Sequence, residues 1–158
     1  MAESWETRLK RWGFNWFPVY RATGARVEYI ASDWREVRVR LPLTWRTRNY
    51  VGTIFGGSMY GAVDPVFMIM LIKLLGPGYE VWDKAATIRF RQPGRSTLRA
   101  TFRIGVEELD AIRAAVARDG RTEWQFAVDL TDGQGQACFS CEKLLSIRRR
   151  DGNRHANR

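Results

Sequence analysis

The sequence predicts an α+β domain in which an antiparallel sheet wraps around one central helix. Several short runs alternate apolar and polar residues between turn-forming residues, a pattern typical of half-buried antiparallel strands. One helical segment, within residues 58–75, is apolar on nearly all sides, and such a helix is normally enclosed by the rest of the fold. Together these two patterns favour one sheet packed on one buried helix.

The first predicted element lies ahead of the sheet. The spacing of Trp5, Leu9 and Trp12 is helical, and Gly13 is expected to end that helix. In residues 35–41, valines alternate with arginines, so that one face of the strand is buried and the other solvated. The remaining elements follow in chain order: strands at 26–31 and 35–41, the central helix within 58–75, strands at about 82–91 and 97–104, a helix at 106–118, and strands at about 122–131 and 136–148.

Turn-forming residues separate these elements. Residues 43–58 are expected to form an irregular loop, and Gly76-Pro77-Gly78 stops the central helix. Gln92-Pro93-Gly94 lies between the two middle strands, and Asp119-Gly120 ends the amphipathic helix. Asp132-Gly133-Gln134-Gly135 predicts a hairpin that joins the last two strands.

The net charge is +9, from 26 Lys and Arg against 17 Asp and Glu. Residues 148–158 alone carry five Arg and one Asp, and this polar segment is predicted to be a disordered basic tail. Without it, the charge is ordinary for a soluble domain. Nucleic-acid binding through this tail is therefore the least favoured function, because the charges do not lie on a recognisable reading element.

The chain divides into three predicted segments: an aromatic-rich N-terminal segment at 1–25, the sheet-and-helix domain at 26–147, and the basic tail at 148–158. The aromatic residues of the first segment are expected to pack in the core or at an interface. They are Trp5, Trp12, Phe14, Trp16 and Phe17.

Targeting features favour a cytoplasmic location. Two cysteines do not make a disulfide framework, and the first residues lack the apolar core of a signal peptide. No stretch reaches the ~18 uninterrupted apolar residues of a membrane span, because Asp64, Pro65 and Lys73 interrupt the run from Ile54 to Leu75.

Several familiar catalytic sites are excluded by composition. The one histidine, His155, lies in the tail, so the domain contains no Ser-His-Asp or Cys-His arrangement. Cys138 and Cys141 are three apart in a predicted strand, where they point to opposite faces and are poorly placed to hold zinc together. No phosphate-binding loop is present.

The informative stretch is residues 49–65. Gly56 and Gly57 precede the central helix, and free N–H groups at a helix start can bind an oxyanion. Asp64 is the sole acidic residue between Glu36 and Glu80. A carboxylate in such an apolar segment is costly unless it is paired or functional. An alternative stays open: Asp64 followed by Pro65 is also good chemistry for an N-cap and a first helical residue.

This stretch resembles the helix-start signature of hotdog-fold acyl-CoA thioesterases, particularly those of the phenylacetate-degradation type. That signature places an Asn six residues before a His-Gly-Gly, and an Asp or Glu seven positions beyond the second Gly. Asn49, Gly56, Gly57 and Asp64 match it, whereas Phe55 stands in the position of the histidine, as in a less characterised branch of the superfamily. The resemblance extends to the order of elements and to residues 88–94.

The resemblance implies a role for each matching residue. Asp64 would be the catalytic carboxylate, as general base on water or as direct nucleophile on the thioester carbonyl. The N–H of Gly56, with that of Gly57, would polarise the carbonyl oxygen, and Asn49 would orient water or substrate. It also implies a homodimer or homotetramer whose sites are built across a subunit interface. No metal or redox cofactor is implied, since coenzyme A enters as part of the substrate.

Two further sets of residues are candidates for substrate contact. Four side chains near the signature would line an acyl tunnel: Ile54, Phe55, Tyr60 and Phe67. Three arginines would meet the phosphates of coenzyme A at a subunit edge: Arg89, Arg91 and Arg95. For each arginine, a solvated strand face is the simpler alternative.

The function expected from this sequence is therefore hydrolysis of acyl-CoA or related acyl thioesters. The first alternative is a non-catalytic hotdog protein that binds acyl-CoA or another lipid-like ligand, because Phe55 lacks the hydrogen bonds of the histidine it replaces.

Overall fold

A six-stranded antiparallel sheet with the strand order β1-β2-β4-β5-β6-β3 forms the body of the protein. The structure is a computed structural model, and it describes residues 2–150. Its elements are α1 (Trp5–Trp16), α2 (Pro18–Ala22), β1 (Arg26–Ile30), β2 (Glu36–Leu41), α3 (Gly56–Val63), α4 (Val66–Leu75), β3 (Tyr79–Phe90), β4 (Leu98–Arg103), α5 (Val106–Asp119), β5 (Arg121–Thr131) and β6 (Ala137–Arg149).

The core lies between the inner face of this sheet and the helices α3 and α4. Strand β2 buries Val37, Val39 and Leu41 and points its arginines outward, as its alternation predicts. In α4, the ring of Phe67 packs edge-on against Phe102 at 5.0 Å and stacks on Phe126 at 4.6 Å. These contacts fix the helix on the sheet, and they confirm the predicted α+β arrangement around a central helix.

The central helix is broken where the sequence predicted one continuous helix. It begins at Gly56 and is interrupted after Val63, and α4 resumes at Val66. Pro65 has no N–H to donate and its ring clashes with the preceding turn, so the helix cannot pass through it unchanged. The whole run Gly56–Leu75 is apolar enough to cross a membrane by length and composition, but half of it is buried in this fold and it forms the core helix.

The N-terminal segment differs from the prediction in one respect. Helix α1 passes through Gly13 and ends at Trp16, so Gly13 does not terminate it. Tertiary contacts explain this, because the Asn15 amide forms two hydrogen bonds with the backbone of Val27 at the outer edge of β1. The Tyr20 hydroxyl of α2 then donates to the carbonyl of Ala62 at 3.1 Å, which anchors the segment on the last turn of α3.

The aromatic residues of this segment are mostly exposed in the single chain. Phe14 packs against the core, with its ring 4.5 Å from that of Tyr20, but a row of larger side chains faces outward. The exposed row consists of Trp5, Trp12, Trp16 and Phe17. At the other terminus, Arg148 and Arg149 extend β6 into the predicted tail, whereas residues 151–158 lie outside the described residues.

Strand β3 forms one edge of the sheet, paired on one side with β6. From Trp82 to Phe90 nearly all its residues are exposed, on both faces of the strand. A long edge with both faces open is normally covered by another element or another chain.

Candidate active site

Asp64 lies at the C-terminal end of α3, where the central helix breaks. Its side chain caps neither helix: α4 has Pro65 at its N-cap and no side-chain cap hydrogen bond. The N-cap interpretation of Asp64 and Pro65 is therefore wrong. Instead, Asp64 Oδ1 accepts a hydrogen bond from Lys143 Nζ at 2.7 Å. The carboxylate is thus paired from inside the protein, while its side chain remains 41% exposed.

Lys143 is the buried partner of two carboxylates. Its side chain is 1% exposed, and Nζ lies 2.7 Å from Asp64 Oδ1 and 3.1 Å from Asp83 Oδ1. The geometry to Asp83 is that of an ion pair without a hydrogen bond, since Asp83 Oδ1 finds no donor among residues 2–150. The cluster therefore consists of two carboxyl groups around one buried ammonium group.

The protonation of this cluster follows from burial and pairing. Burial alone would lower the pKa of Lys143, but the hydrogen bond to Asp64 and the charge of Asp83 raise it above its ordinary value. Burial raises the pKa of Asp83, and the Lys143 ammonium opposes that rise. Lys143 is therefore charged at neutral pH, and a carboxylate can lie beside it without an uncompensated charge.

Two other reactive side chains adjoin the cluster. Burial, together with the neighbouring Asp64 carboxylate, raises the pKa of Tyr60, and its ring centroid lies 5.6 Å from Lys143 Nζ. Burial raises the pKa of Cys141 to about 11, so its thiol stays protonated at neutral pH. Neither group is an activated nucleophile.

Gly56 and Gly57 lie at the opposite end of α3. As the first residues of the helix they have no intrahelical acceptor, and no other acceptor for their N–H groups lies within residues 2–150. Two exposed rings flank them: a Cβ at Gly56 would meet the ring of Phe90 at 2.8 Å, and one at Gly57 would meet the ring of Phe55 at 2.4 Å. The two glycines let these rings lie close to the backbone, which places two free amides beside an aromatic surface.

The amides and the carboxylate do not meet within one chain. Helix α3 has eight residues, so about 12 Å of helix separates the Gly56 amide from Asp64. A single thioester carbonyl cannot contact both groups of the same protomer at that separation.

Three of the predicted site residues make contacts that differ from those expected. The Asn49 side chain accepts hydrogen bonds from the amides of Val51 and Thr53 and donates to the Thr53 hydroxyl, so it is engaged in holding its own loop. Ile54 and Phe67, expected along an acyl tunnel, are both 2% exposed and belong to the core.

The three candidate arginines lie on or just after the edge strand β3. Arg89, Arg91 and Arg95 are all exposed, and Arg91 donates to the Ser140 hydroxyl at 3.1 Å. None of the three has a carboxylate partner within the described residues, so their charges are free to meet an anion or solvent.

A cavity of about 520 Å³ opens beside Asp64. One wall is the N-terminal segment and the other is the helix break, and Asp64 is the charged residue among the side chains that line it. The lining residues are Gly13, Phe14, Phe17, Val19, Tyr20, Thr23, Gly61, Asp64, Pro65, Met68 and Ile69. None of the four residues predicted to form an acyl tunnel is among them. Within residues 2–150, no group of His, Cys, Asp or Glu side chains is arranged to hold a metal ion.

Sequence reasoning missed Lys143 and Asp83. Lys143 occupies the inward face of β6, where Phe139, Cys141 and Leu145 alternate with outward residues. The sequence did contain a signal for Lys143: a lysine stands at a position where the period-two pattern calls for an apolar residue. A lysine buried there needs an anionic partner, so the pattern could have pointed to an ion pair. Nothing local could have identified that partner, since 79 residues separate Lys143 from Asp64.

The chain is similar to several solved structures. It matches PA5026 from Pseudomonas aeruginosa, a protein of unknown function described as a probable thioesterase, at 21% identity and a TM-score of 0.82, over 95% of this chain and 100% of that one. It matches thioesterase HI1161 from Haemophilus influenzae at 15% identity and a TM-score of 0.65, over 90% and 91% of the two chains. A mutant of thioesterase PA1618 from Pseudomonas aeruginosa matches at 12% identity and a TM-score of 0.67, over 90% and 94%. No protein of curated function matches the sequence.

The sheet wrapped on a broken central helix, together with these likenesses, shows that the chain has the hotdog fold. The predicted fold is confirmed. The chain belongs to the family described as a domain of unknown function, DUF4442, whose model matches residues 7–147. That match begins inside α1, so the family domain includes most of the aromatic N-terminal segment.

Proposed function

We propose that this protein hydrolyses acyl thioesters, with Asp64 as the catalytic carboxylate. The observation that carries the proposal is the state of Asp64: it is held by a buried ammonium, partly exposed, and open to a cavity with apolar walls. A carboxylate at the end of an apolar pocket is suited to act on the carbonyl of an acyl group.

As a general base, Asp64 takes a proton from a water molecule while the water oxygen bonds to the thioester carbonyl carbon. The carbon–sulfur bond then breaks, and the proton passes from Asp64 to the departing thiolate. The products are a carboxylic acid and a thiol, and Asp64 returns to its ionised form. The Lys143 ammonium keeps this carboxylate oriented throughout by its hydrogen bond to Asp64 Oδ1.

The oxyanion donors would come from a second copy of the chain. Phe90, at one end of the exposed edge strand β3, adjoins the Gly56 amide, and Asp83, seven residues earlier on the same strand, contacts the Asp64 cluster. If two copies pair antiparallel along β3 about a centre between Ala86 and Thr87, Phe90 of one strand lies opposite Asp83 of its partner. Such a homodimer, alone or within a homotetramer, would bring the Gly56 and Gly57 amides of one copy to Asp64 of the other.

Coenzyme A is the proposed carrier of the acyl group. Arg89, Arg91 and Arg95 carry exposed positive charges along the edge that such a dimer would join. Arginine is well suited to phosphate groups, since its planar guanidinium donates two parallel hydrogen bonds.

The test is an acyl-CoA hydrolysis assay with Asp64→Asn and a matched control, Asp129→Asn, which alters an exposed aspartate of β5. Removing a general base typically costs about 10²–10⁴-fold in rate, so Asp64→Asn should lose turnover by that factor while the control keeps it. Thiol release detected with a chromogenic disulfide measures the rate. Equal turnover in the wild type and Asp64→Asn on every thioester would refute the proposal.

One observation favours non-catalytic ligand binding as the second candidate. Phe55 is 57% exposed and its ring lies over Gly57, where it offers no hydrogen bond to a substrate. Binding of acyl-CoA without any thiol release would select this function.

A further inference from the structure

The cavity beside Asp64 has mostly apolar walls. Its walls are apolar apart from Asp64 and two hydroxyl-bearing residues, and both hydroxyls are already engaged. The Tyr20 hydroxyl donates to the carbonyl of Ala62, and the Thr23 hydroxyl donates to the carbonyl of Tyr20 at 2.7 Å while accepting from the amide of Ala25. The groups that the cavity offers to a ligand are therefore apolar surface and one carboxylate.

From these features we infer that this cavity is the acyl-chain site, and that the N-terminal segment α1–α2 forms its specificity wall. This inference rests on the proposed function, because it places the reacting carbonyl at Asp64. The volume of about 520 Å³ falls within the range of small-molecule sites. Aliphatic or aromatic acyl groups suit such walls, whereas the substrate headgroup remains outside.

The single charge indicates which ligands the cavity rejects. A neutral thioester brings no charge to Asp64, but a free fatty acid would bring a second carboxylate beside it. Like charges at short distance in a partly buried site repel strongly. Lys143 already shares its charge between Asp64 and Asp83, so it has little left for a third carboxylate. The site should thus hold the substrate in preference to the acid product, which favours product release.

Gly13 gives a way to fill the cavity without disturbing the fold. It lies within α1 on the cavity wall, and a Cβ placed there would meet no described atom within 4 Å beyond its own stretch of helix. A leucine at this position would extend into the space proposed for the acyl chain. Leucine also has a higher helix propensity than glycine, so α1 should tolerate it.

The experiment compares wild type, Gly13→Leu and a control, Ala111→Leu, which adds the same side chain to the exposed face of α5. The ligands are a non-hydrolysable octyl thioether of coenzyme A, octanoate, and acetyl-, octanoyl- and lauroyl-CoA. Calorimetric titration measures binding, and thiol release measures turnover. Thermal unfolding of each variant verifies that it is folded.

We expect wild type to bind the octyl thioether more tightly than octanoate. Gly13→Leu should weaken binding of the octyl thioether, and slow hydrolysis of octanoyl- and lauroyl-CoA, by about tenfold or more. The reason is that several methylene contacts of the acyl chain are lost. Acetyl-CoA turnover should fall much less than octanoyl-CoA turnover in Gly13→Leu, and Ala111→Leu should match wild type throughout.

The outcomes separate this inference from the proposed function. If binding of the octyl thioether depends on Gly13 but no thioester is hydrolysed, the acyl-chain site is supported and the proposed enzymatic activity is refuted. If thioesters are hydrolysed and Gly13→Leu does not change the dependence on chain length, the acyl-chain site is refuted and the enzymatic activity is supported. Failure of wild type to bind the octyl thioether, or a preference for octanoate, also overturns the inference.

Discussion

The ion-pair cluster at Lys143 makes a quantitative prediction about stability. Replacing both carboxylates, as Asp64→Ala/Asp83→Ala, removes both anionic partners of the Lys143 side chain, which is 1% exposed in the wild type. Breaking a buried ion pair from one side costs about 3–5 kcal/mol, because the remaining charge stays out of water. Asp64→Ala alone should cost only about 1 kcal/mol, since its side chain is 41% exposed and Asp83 still balances the charge.

A third substitution tests the cause of that loss. Adding Lys143→Met to the double variant removes the stranded charge and keeps an unbranched apolar chain of similar length. Apolar replacements of a buried ion cluster are often neutral or stabilising, so the triple variant should recover most of the lost free energy. Urea unfolding at equilibrium measures each value, and an unchanged slope verifies that only stability has changed.

The pH dependence of the double variant gives an independent test. With no anion beside it, burial depresses the pKa of the Lys143 ammonium in the folded state below that in the unfolded chain. The unfolded state then binds more protons, so the unfolding free energy of the double variant should rise between about pH 7 and pH 10. In the wild type the pKa of Lys143 is raised, so its contribution is lost only as the pH climbs above the ordinary 10.5. A triple variant no more stable than the double, with no rise with pH, would refute the reasoning.

Two further predictions concern groups outside the cluster. Burial would raise the pKa of Glu36, but hydrogen bonds from Arg103 and Arg38 lower it below 4.5; its stabilisation is present above pH 4.5 and lost as the pH falls through its folded value. Glu36→Gln should therefore cost about 1 kcal/mol in urea unfolding at pH 7 and progressively less in acid, and an equal cost at pH 3 would contradict this. Cys138 and Cys141 are buried free thiols with raised pKa values, so a chromogenic disulfide should label neither quickly at pH 8 until urea unfolds the chain. Rapid labelling of the folded protein would show that the thiols are accessible.

Local patterns were sufficient for most of the fold. Period-two alternation predicted strands such as β2, and Gly76 and Gly120 end their helices as expected. Local sequence patterns failed to predict the structure where contacts between distant residues decide the conformation. Helix α1 continues through Gly13 because Asn15 is hydrogen-bonded to β1, an interaction invisible to a helix-ending rule.

The candidate site divides in the same way. The signature predicted Asp64 and the two glycines, and their positions at the two ends of α3 follow from spacing along one helix. Ile54 and Phe67 were also expected to line an acyl tunnel. In the structure both side chains are buried in the core. The cavity could not be predicted, because its walls come from segments that meet only when α2 docks on α3.

The presence of a buried lysine at this position needs a reason other than stability. An apolar side chain on the inward face of β6 would stabilise the core about as well, without the cost of removing an ammonium from water. Lys143 does something an apolar residue cannot do: it holds a carboxylate in a fixed orientation at the rim of an apolar cavity by a hydrogen bond. Asp83 lies 3.1 Å from the same ammonium, and its charge helps to keep the pKa of Lys143 raised against the effect of burial. The arrangement makes physical sense if the Asp64 carboxylate performs chemistry, because only then is its charge worth maintaining beside an acyl-sized pocket.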